Sequence, residues 1–233
     1  MLLLLFDIDG TLVSGATEAH QAAMYEALAT VHSIDPRKLG RPLSPAGRTD
    51  PEIARTILLD AGVSAERIDD RADEVHEACS RAYARLCPPD LSQFVLPGIP
   101  DLLAWVSGRD DALPGLLTGN YEAVARLKLA RAGIGSFFPS GQGAFGSDDE
   151  DRAGLPGIAR RRAGRTGHPH PCEQTIVIGD TPRDIACARA DGVRCVAVTT
   201  GPFDRSELDG ADATAHGAEE LRAVLTRELD ARA

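Results

Sequence analysis

Short apolar runs alternate with longer amphipathic stretches along most of the chain. The runs show no apolar–polar alternation, and each ends at a turn or a polar residue. Such runs are typical of strands that are buried on both faces of a parallel sheet. Proline is unfavourable inside a central strand, so Pro114 makes us expect the second strand to begin near residue 115. The four runs lie at 2–6, 113–117, 175–178 and 194–198.

Helical periodicity fills the intervals between these runs, and 137–146 is a candidate for a further short strand. Strands that alternate with helices predict an α/β fold, a doubly wound and mostly parallel sheet with right-handed crossovers. The predicted helices of this part of the chain lie at 99–107, 121–132, 152–163, 182–191 and near 217–230.

One interval, 14–95, breaks the alternation, because it contains no convincing strand. Helices are predicted there near 16–30, 50–61 and 65–86. The sequence therefore predicts a core domain made of 1–13 and 96–233, with an inserted all-helical cap domain at 14–95. The insertion follows the first strand directly, so it is placed to act as a lid that excludes water and selects substrate. The alternative is a helical subdomain without such a role.

Two carboxylates, Asp7 and Asp9, follow the first apolar run, and Gly10 permits a sharp turn behind them. Ligands of open α/β sheets bind beyond the carboxyl ends of such strands. Two neighbouring carboxylates repel each other, and a divalent cation with a preference for oxygen ligands, such as Mg²⁺, relieves that repulsion. The alternative is an ordinary Asp-Gly-Thr turn in which an aspartate caps a helix.

Polar residues also follow two other predicted strands. Asp180 comes directly after the third strand, and Asp184 lies one helical turn further on. Together with Asp7 and Asp9 they form a plausible Mg²⁺ site. Thr118 ends the second strand ahead of a helix, where a hydroxyl and free N–H groups suit a phosphoryl oxygen. Helix capping is the alternative explanation at each of these positions.

These motifs, taken together, resemble those of the haloacid dehalogenase (HAD) superfamily. They occur in the order of that family, with a helical insertion between the first two, as in members with a C1-type cap. The motifs stand here as Asp7-Ile8-Asp9-Gly10-Thr11, Leu116-Leu117-Thr118-Gly119-Asn120 and Gly179-Asp180-Thr181-Pro182-Arg183-Asp184.

The resemblance implies a Rossmann-like core and a phosphomonoester hydrolase that acts through an aspartyl-phosphate. Asp7 is then the nucleophile, and Asp9 is the general acid and base. Mg²⁺ is then held by Asp7, by the backbone carbonyl of Asp9 and by Asp180, with Asp184 ordering its surroundings. Asp9 argues against dehalogenation, because a halide leaves without a proton. A phosphomutase of the β-phosphoglucomutase type is the alternative, and a non-enzymatic binding protein ranks last.

The third family motif departs from its usual pattern, since no lysine precedes the fourth motif at the expected distance. Arg152 opens the helix at that place and is the first candidate for a phosphoryl contact. Lys128, on the helix after Thr118, is the rival, and a solvated helix face is its alternative explanation. Gly119 and Asn120 complete the predicted phosphate-binding segment.

The predicted cap contains one further candidate for substrate binding. Residues 47–51, Gly-Arg-Thr-Asp-Pro, resemble a segment of phosphoglycolate-phosphatase-like members of the family. Arg48 is placed there to meet a carboxylate or another anionic group of the substrate. An exposed arginine beside a helix start is an equally good explanation.

Composition narrows the function classes further. The formal net charge of −10 argues against nucleic-acid binding but not against a small phosphorylated substrate. No apolar stretch approaches the length of a membrane span, so no membrane contact is expected. The five cysteines form no Cys-x-x-Cys pair and suit a reducing compartment, so we expect a cytoplasmic location. We also expect a monomer or a homodimer.

Overall fold

The computed structural model describes residues 1–38, 44–165 and 167–231. Within these ranges, six strands form one sheet in which all neighbouring strands are parallel, in the order β3-β2-β1-β4-β5-β6. This arrangement confirms the predicted α/β fold class. The strands are β1 (Leu2–Phe6), β2 (Ala112–Thr118), β3 (Ala144–Phe145), β4 (Thr175–Gly179), β5 (Arg194–Val198) and β6 (Ala213–Ala215).

Strand β1 lies in the middle of the sheet, paired with β2 on one side and β4 on the other. All five of its residues are buried. Side chains alternate between the two faces of a strand, so Leu2, Leu4 and Phe6 enter one hydrophobic core while Leu3 and Leu5 enter the other. An apolar run without alternation is thus what a strand covered on both faces requires.

Helices cover both faces of the sheet. Side chains of α5, α6 and α9 share the core of Leu2 and Phe6, and those of α7 and α8 share the core of Leu3. No helix of the described ranges combines the length and the apolar character that crossing a membrane requires. These helices are α5 (Ile99–Ser107), α6 (Glu122–Arg131), α7 (Leu155–Ala163), α8 (Pro182–Ala190) and α9 (Gly217–Asp230).

In the described ranges, four α-helices lie between β1 and α5, and this interval contains isolated bridges but no strand. The predicted helix at 65–86 is two helices, because the backbone leaves the helical conformation at Arg71. The division into core and cap at residues 13/14 and 95/96 stays a prediction. The helices are α1 (Glu18–His32), α2 (Asp50–Asp60), α3 (Ala65–Asp70) and α4 (Ala72–Leu86), and α1 packs along α4.

The sheet differs from the predicted one at its outer part. Strand β2 begins at Ala112 and includes Pro114, which lies opposite Leu4 of β1. Strand β3 pairs only with the last two residues of β2, so in the described chain no strand flanks Pro114 on the outer side and its missing N–H is tolerated. Only two residues of the candidate segment 137–146 form β3, and the three-residue edge strand β6 was not predicted.

Candidate active site

Three buried carboxylates meet at the carboxyl edge of the sheet. Asp7 follows β1, Asp180 follows β4, and Asp184 lies in the first turn of α8. One carboxylate oxygen from each lies within 4.8 Å of the others. The structure therefore brings together three of the four acids that the sequence places at strand ends.

Asp184 serves the local structure and the carboxylate cluster at once. Its Oδ2 accepts hydrogen bonds from the backbone N–H of Thr181, at 3.0 Å, and from the Thr181 hydroxyl, at 2.7 Å. The Thr181 hydroxyl in turn accepts the N–H of Asp184, which completes a capping box. The other oxygen, Oδ1, faces Arg152. Asp184 therefore caps α8 through one oxygen and contacts Arg152 in the carboxylate cluster through the other.

The carboxylate cluster carries more negative charge than its surroundings compensate. Burial raises the pKa of Asp7 to about 7; Arg152 opposes this shift, and the neighbouring Asp184 adds to it. Burial, followed by repulsion from Asp7 and Asp184, raises the pKa of Asp180 to about 8. Three hard oxygen donors gathered in one buried cluster suit a divalent cation of the Mg²⁺ or Ca²⁺ type. The residues present could therefore hold such an ion.

Arg152 is the positive group nearest to this cluster. Its guanidinium makes an ion pair with Asp184, and its Nη2 lies 3.3 Å from Oδ1 of Asp7. These two carboxylates raise the pKa of Arg152 well above its usual value, although burial opposes the shift. Within the described chain, Nε of Arg152 is buried and has no hydrogen-bond partner. The residue is therefore a fixed cation beside the predicted nucleophile.

Asp9 lies apart from the carboxylate cluster and is paired with Lys128 instead. Lys128 is fully buried, and its Nζ lies 2.8 and 2.7 Å from the two carboxylate oxygens of Asp9. Asn120 joins both residues, since its Oδ1 accepts from Lys128 and its Nδ2 donates to Asp9. Burial alone would raise the pKa of Asp9, but Lys128 outweighs it and lowers that pKa. Lys128 and Arg152 thus occupy different positions, and Lys128 does not lie on a solvated helix face.

The end of β2 forms the next wall of the site. Thr118 is fully buried, and its hydroxyl accepts the N–H of Asn120 at 3.3 Å. A Cβ added at Gly119 would lie 2.1 Å from the backbone carbonyl oxygen of Arg48. Only glycine therefore allows the segment before α2 to lie directly on this loop.

Asp50, which the sequence analysis did not single out, joins the helical region to the sheet. Its backbone N–H donates to the carbonyl of Gly119 at 2.8 Å, and its Oδ2 accepts the N–H of Tyr121 at 2.7 Å. The same oxygen lies 3.0 Å from Nε2 of His20 on α1. The Thr-Asp-Pro sequence at the start of α2 was the available signal for this role of Asp50. The same sequence is also typical of an ordinary helix cap without contacts to the sheet.

The loop after β5 was also missed. The Thr200 hydroxyl donates to the backbone carbonyl of Gly10 at 2.5 Å, and a Cβ at Gly201 would lie 1.7 Å from Oδ2 of Asp180. Thr11 donates to Oδ1 of Asp180 at 3.3 Å. Strand β5 ends at the same edge as β1 and β4, so its terminal Thr-Thr-Gly could have been identified by topology.

A cavity of about 620 Å³ lies between these strand ends and the first two helices. Asp7, Asp180 and Arg152 border one part of it, and residues of α1 and α2 border the rest. Arg48 also lines this cavity, and its guanidinium is paired with Glu52. Asp7 and Asp180 are thus accessible to a small molecule from a partly enclosed space.

A protein-family model for haloacid dehalogenase-like hydrolases matches residues 4–189, which includes the ends of β1, β2 and β4 and the first turn of α8. The chain belongs to this family. This match confirms the predicted membership of the HAD superfamily. The match and the relatives described next confirm the prediction that the protein is a phosphatase of the HAD type.

Those relatives of the HAD chain are phosphoglycolate phosphatases. The one from Synechococcus elongatus is 30% identical over 91% of this chain and 90% of its own length. The one from Pseudomonas putida is 27% identical over 96% of this chain and 78% of its own. Among solved structures, a β-phosphoglucomutase from Clostridium difficile superimposes with a TM-score of 0.70 at 16% identity, covering 100% and 98% of the two chains. At that identity the structural match shows the fold alone.

Proposed function

We propose that this HAD protein is a Mg²⁺-dependent phosphomonoester hydrolase that acts on a small phosphorylated metabolite through an aspartyl-phosphate. The observation that carries the proposal is the buried cluster of Asp7, Asp180 and Asp184, which faces a cavity and has Arg152 beside it. A phosphoryl group needs a nucleophile and positive charge around its oxygens, and this cluster, once it holds a divalent ion, offers both.

In the first half-reaction, a carboxylate oxygen of Asp7 attacks phosphorus in line with the leaving oxygen. The new bond joins Asp7 to phosphorus, while the bond from phosphorus to the alcohol oxygen breaks. The protonated form of Asp9 gives its proton to that oxygen, so the alcohol leaves neutral. Arg152 and the N–H groups near Thr118 compensate the charge that spreads over the equatorial oxygens.

In the second half-reaction, a water molecule attacks phosphorus and the bond to Asp7 breaks. Asp9, now a carboxylate, takes the proton from the water. The pairing with Lys128 and Asn120 favours this ionised form, because it supplies opposite charge and hydrogen bonds. The products are inorganic phosphate, the free alcohol and an enzyme ready for another turn.

The proposed metal site consists of Asp7, Asp180 and Asp184, with the backbone carbonyl of Asp9 as a further ligand. When bound, Mg²⁺ polarises the phosphoryl oxygens and neutralises charge near the nucleophile. We name Mg²⁺ because the donors are oxygens alone, which hard cations prefer.

Substrate contacts are proposed for Thr118, Gly119, Asn120 and Arg48, with Lys128 acting through Asp9. The name phosphoglycolate phosphatase is that of the relatives. Phosphoglycolate is therefore one of the candidate substrates to be assayed with this protein. A cytoplasmic location and a monomeric or homodimeric state remain predictions from the sequence.

The replacement Asp7→Asn tests the proposal. The variant keeps the shape of the side chain but lacks a nucleophilic carboxylate, so release of inorganic phosphate should fall at least about 10³-fold. Assays should include p-nitrophenyl phosphate, phosphoglycolate and sugar phosphates, with Mg²⁺ and with EDTA. A matched control is Asp60→Asn, an exposed aspartate at the end of α2.

Retained turnover in Asp7→Asn would contradict the assignment of the nucleophile. Isomerisation of a sugar phosphate that needs a bisphosphate, without net release of phosphate, would instead identify the phosphomutase alternative. Turnover that persists in EDTA would contradict the metal requirement.

A further inference from the structure

The cavity is larger than the substrate that the names of the relatives suggest. At the volume that each water molecule occupies in the liquid, the non-hydrogen atoms of phosphoglycolate fill at most roughly 270 Å³. The cavity measures about 620 Å³. A substrate that fills it carries a leaving group considerably larger than glycolate.

Besides His20 and Asp50, the residues of α1 and α2 that border the cavity are uncharged, and three of them are apolar. Positions 21, 24 and 25 lie on one face of α1, and positions 53 and 57 lie on one face of α2, by the three- and four-residue spacing of a helix. Gln21 donates a hydrogen bond to the Tyr25 hydroxyl at 3.3 Å, so this part of the cavity wall also has a polar edge. Its residues are Gln21, Met24, Tyr25, Ile53 and Ile57, which we call the distal wall.

Each basic side chain that borders the cavity in the described ranges already has a carboxylate partner. Arg152 is paired with Asp7 and Asp184, and His20 with Asp50. Arg48 is paired with Glu52, and its Nε donates to the carbonyl of Ser44 at 3.2 Å.

A second anionic group on the substrate would have to share one of these basic groups with its carboxylate partner or displace that carboxylate. Glu52 is itself held from the other side by Arg183, at 3.4 Å, which makes its displacement harder. Desolvating an extra carboxylate without a free partner is costly. The charge pattern therefore favours a leaving group that carries no charge.

We propose that the physiological substrate is a phosphomonoester of an uncharged alcohol with an apolar body, and that Met24, Ile53 and Ile57 select it. The inference rests on the proposed phosphatase function and specifies the substrate of the same site. Contact with the distal wall removes apolar surface of the leaving group from water, which favours binding of the larger ester. Chemistry at phosphorus remains that of Asp7 and Asp9.

Three esters of primary alcohols test the proposal, because they differ mainly in the body of the leaving group. With Mg²⁺ present, kcat/KM for 2-phenylethyl phosphate should exceed that for ethyl phosphate and for phosphoglycolate by at least about tenfold. A higher kcat/KM for phosphoglycolate than for ethyl phosphate would show that the site captures a carboxylate, and would overturn the proposal. Equal values for all three esters would overturn it as well.

Variants of α2 locate the selection in the distal wall. Ile53→Ser and Ile57→Ser should each lower the ratio of kcat/KM between 2-phenylethyl and ethyl phosphate about tenfold, mainly through KM for the larger ester. Leu59→Ser is the matched control, because Leu59 lies on the same helix but is 48% exposed and outside the lining of the cavity. An unchanged ratio in both isoleucine variants would contradict the assignment.

Measuring the binding of non-hydrolysable analogues distinguishes a failure of this inference from a failure of the proposed function. If none of the esters is hydrolysed, the proposed phosphatase activity fails. Calorimetry with Mg²⁺ then still compares 2-phenylethylphosphonate with phosphonoacetate, which need no turnover. Binding of the phenyl compound at least tenfold more tightly supports the inference, and tighter phosphonoacetate binding or no binding of either overturns it.

Discussion

At the scale of single residues, the site contains two separate positive groups, each next to a different carboxylate. Arg152 lies beside Asp7, and Lys128 holds Asp9. A charged residue buried without a partner is costly, so each cation also stabilises the folded state of its acid. The proposed roles of attack and proton transfer thus belong to acids in different electrostatic surroundings, which would allow two chemically identical side chains to perform different roles.

Replacing Lys128 with Met should lower the free energy of unfolding by about 2–3 kcal/mol at pH 8, because Asp9 then lacks its partner. In the wild type the pKa of Asp9 is lowered, so its stabilising contribution is present above the usual carboxyl pKa and is lost as the pH falls through the lowered one. The wild-type contribution is therefore intact down to about pH 4. In the variant, burial without Lys128 raises the pKa of Asp9, so protonation of Asp9 should shrink the destabilisation between pH 8 and pH 4. Urea unfolding at several pH values measures it.

Arg161→Met, at an exposed position of α7, is the control for the loss of a cation. If the destabilisation by Lys128→Met does not change with pH, its cause is altered packing and not the loss of the partner of Asp9.

The sequence predicts which acids lie at strand ends but not which cation each one meets. Lys128 and Asp9 are 119 residues apart, and only the packing of α6 against the end of β1 brings them together. The burial of Lys128 has no local signal either, because a lysine on an amphipathic helix is most often exposed.

At the scale of elements, glycines determine how closely the loops of the site approach each other. Gly119 touches the segment before α2, and a Cβ at Gly146 would lie 2.1 Å from the carbonyl oxygen of Gly119. The carbonyl of Gly119 also accepts the N–H of Asp50. The ends of β2 and β3 and the start of α2 therefore form one layer of backbone against backbone.

Gly119→Ala should disturb this layer, because its Cβ overlaps the Arg48 carbonyl and one of the two backbones has to move. We expect a loss of about 1–3 kcal/mol in unfolding free energy. We also expect at least a tenfold lower kcat/KM for p-nitrophenyl phosphate, since the start of α2 borders the cavity. Gly108→Ala is the control, as its Cβ has its nearest neighbour at an ordinary 3.4 Å. Equal behaviour of the two variants would contradict the close approach.

Elements in the middle of the sheet were easier to predict than those at its outer part. Strand β1 is buried on both faces, so its sequence is a simple apolar run. Strand β6 is short and half-buried, and it reads Ala-Thr-Ala, which has no distinctive pattern. Pro114 misled the prediction because the tolerance of a proline depends on whether a neighbouring strand is present, which is a property of the sheet and not of the strand.

At the scale of the whole molecule, α1 and α2 form one wall of the cavity, and the loops after the strands form another. The domain division at residues 13/14 and 95/96 predicts that these walls belong to two units. Asp50 then joins the units through its hydrogen bonds to Gly119 and Tyr121. Motion of one unit against the other would open and close the cavity.

Hydrogen exchange followed by mass spectrometry tests this division. Peptides from α1 and α4, which pack together, should exchange with one common opening free energy that is lower than that of β1 and β4. Peptides from β1 should exchange slowest, because this strand is buried and paired on both sides. Equal protection of the helices and the central strands would show that the cap does not unfold separately.

The distal wall and the carboxylates are carried by different parts of the chain. No residue of that wall lies on a strand end, and the acids that react lie on the sheet or directly after it. Mutations at positions 24, 53 and 57 can therefore change the preferred alcohol without altering the bond-breaking machinery. The protein is thus a suitable starting point for directed evolution, in which a library of a few helix positions explores new substrates on an unchanged reaction centre.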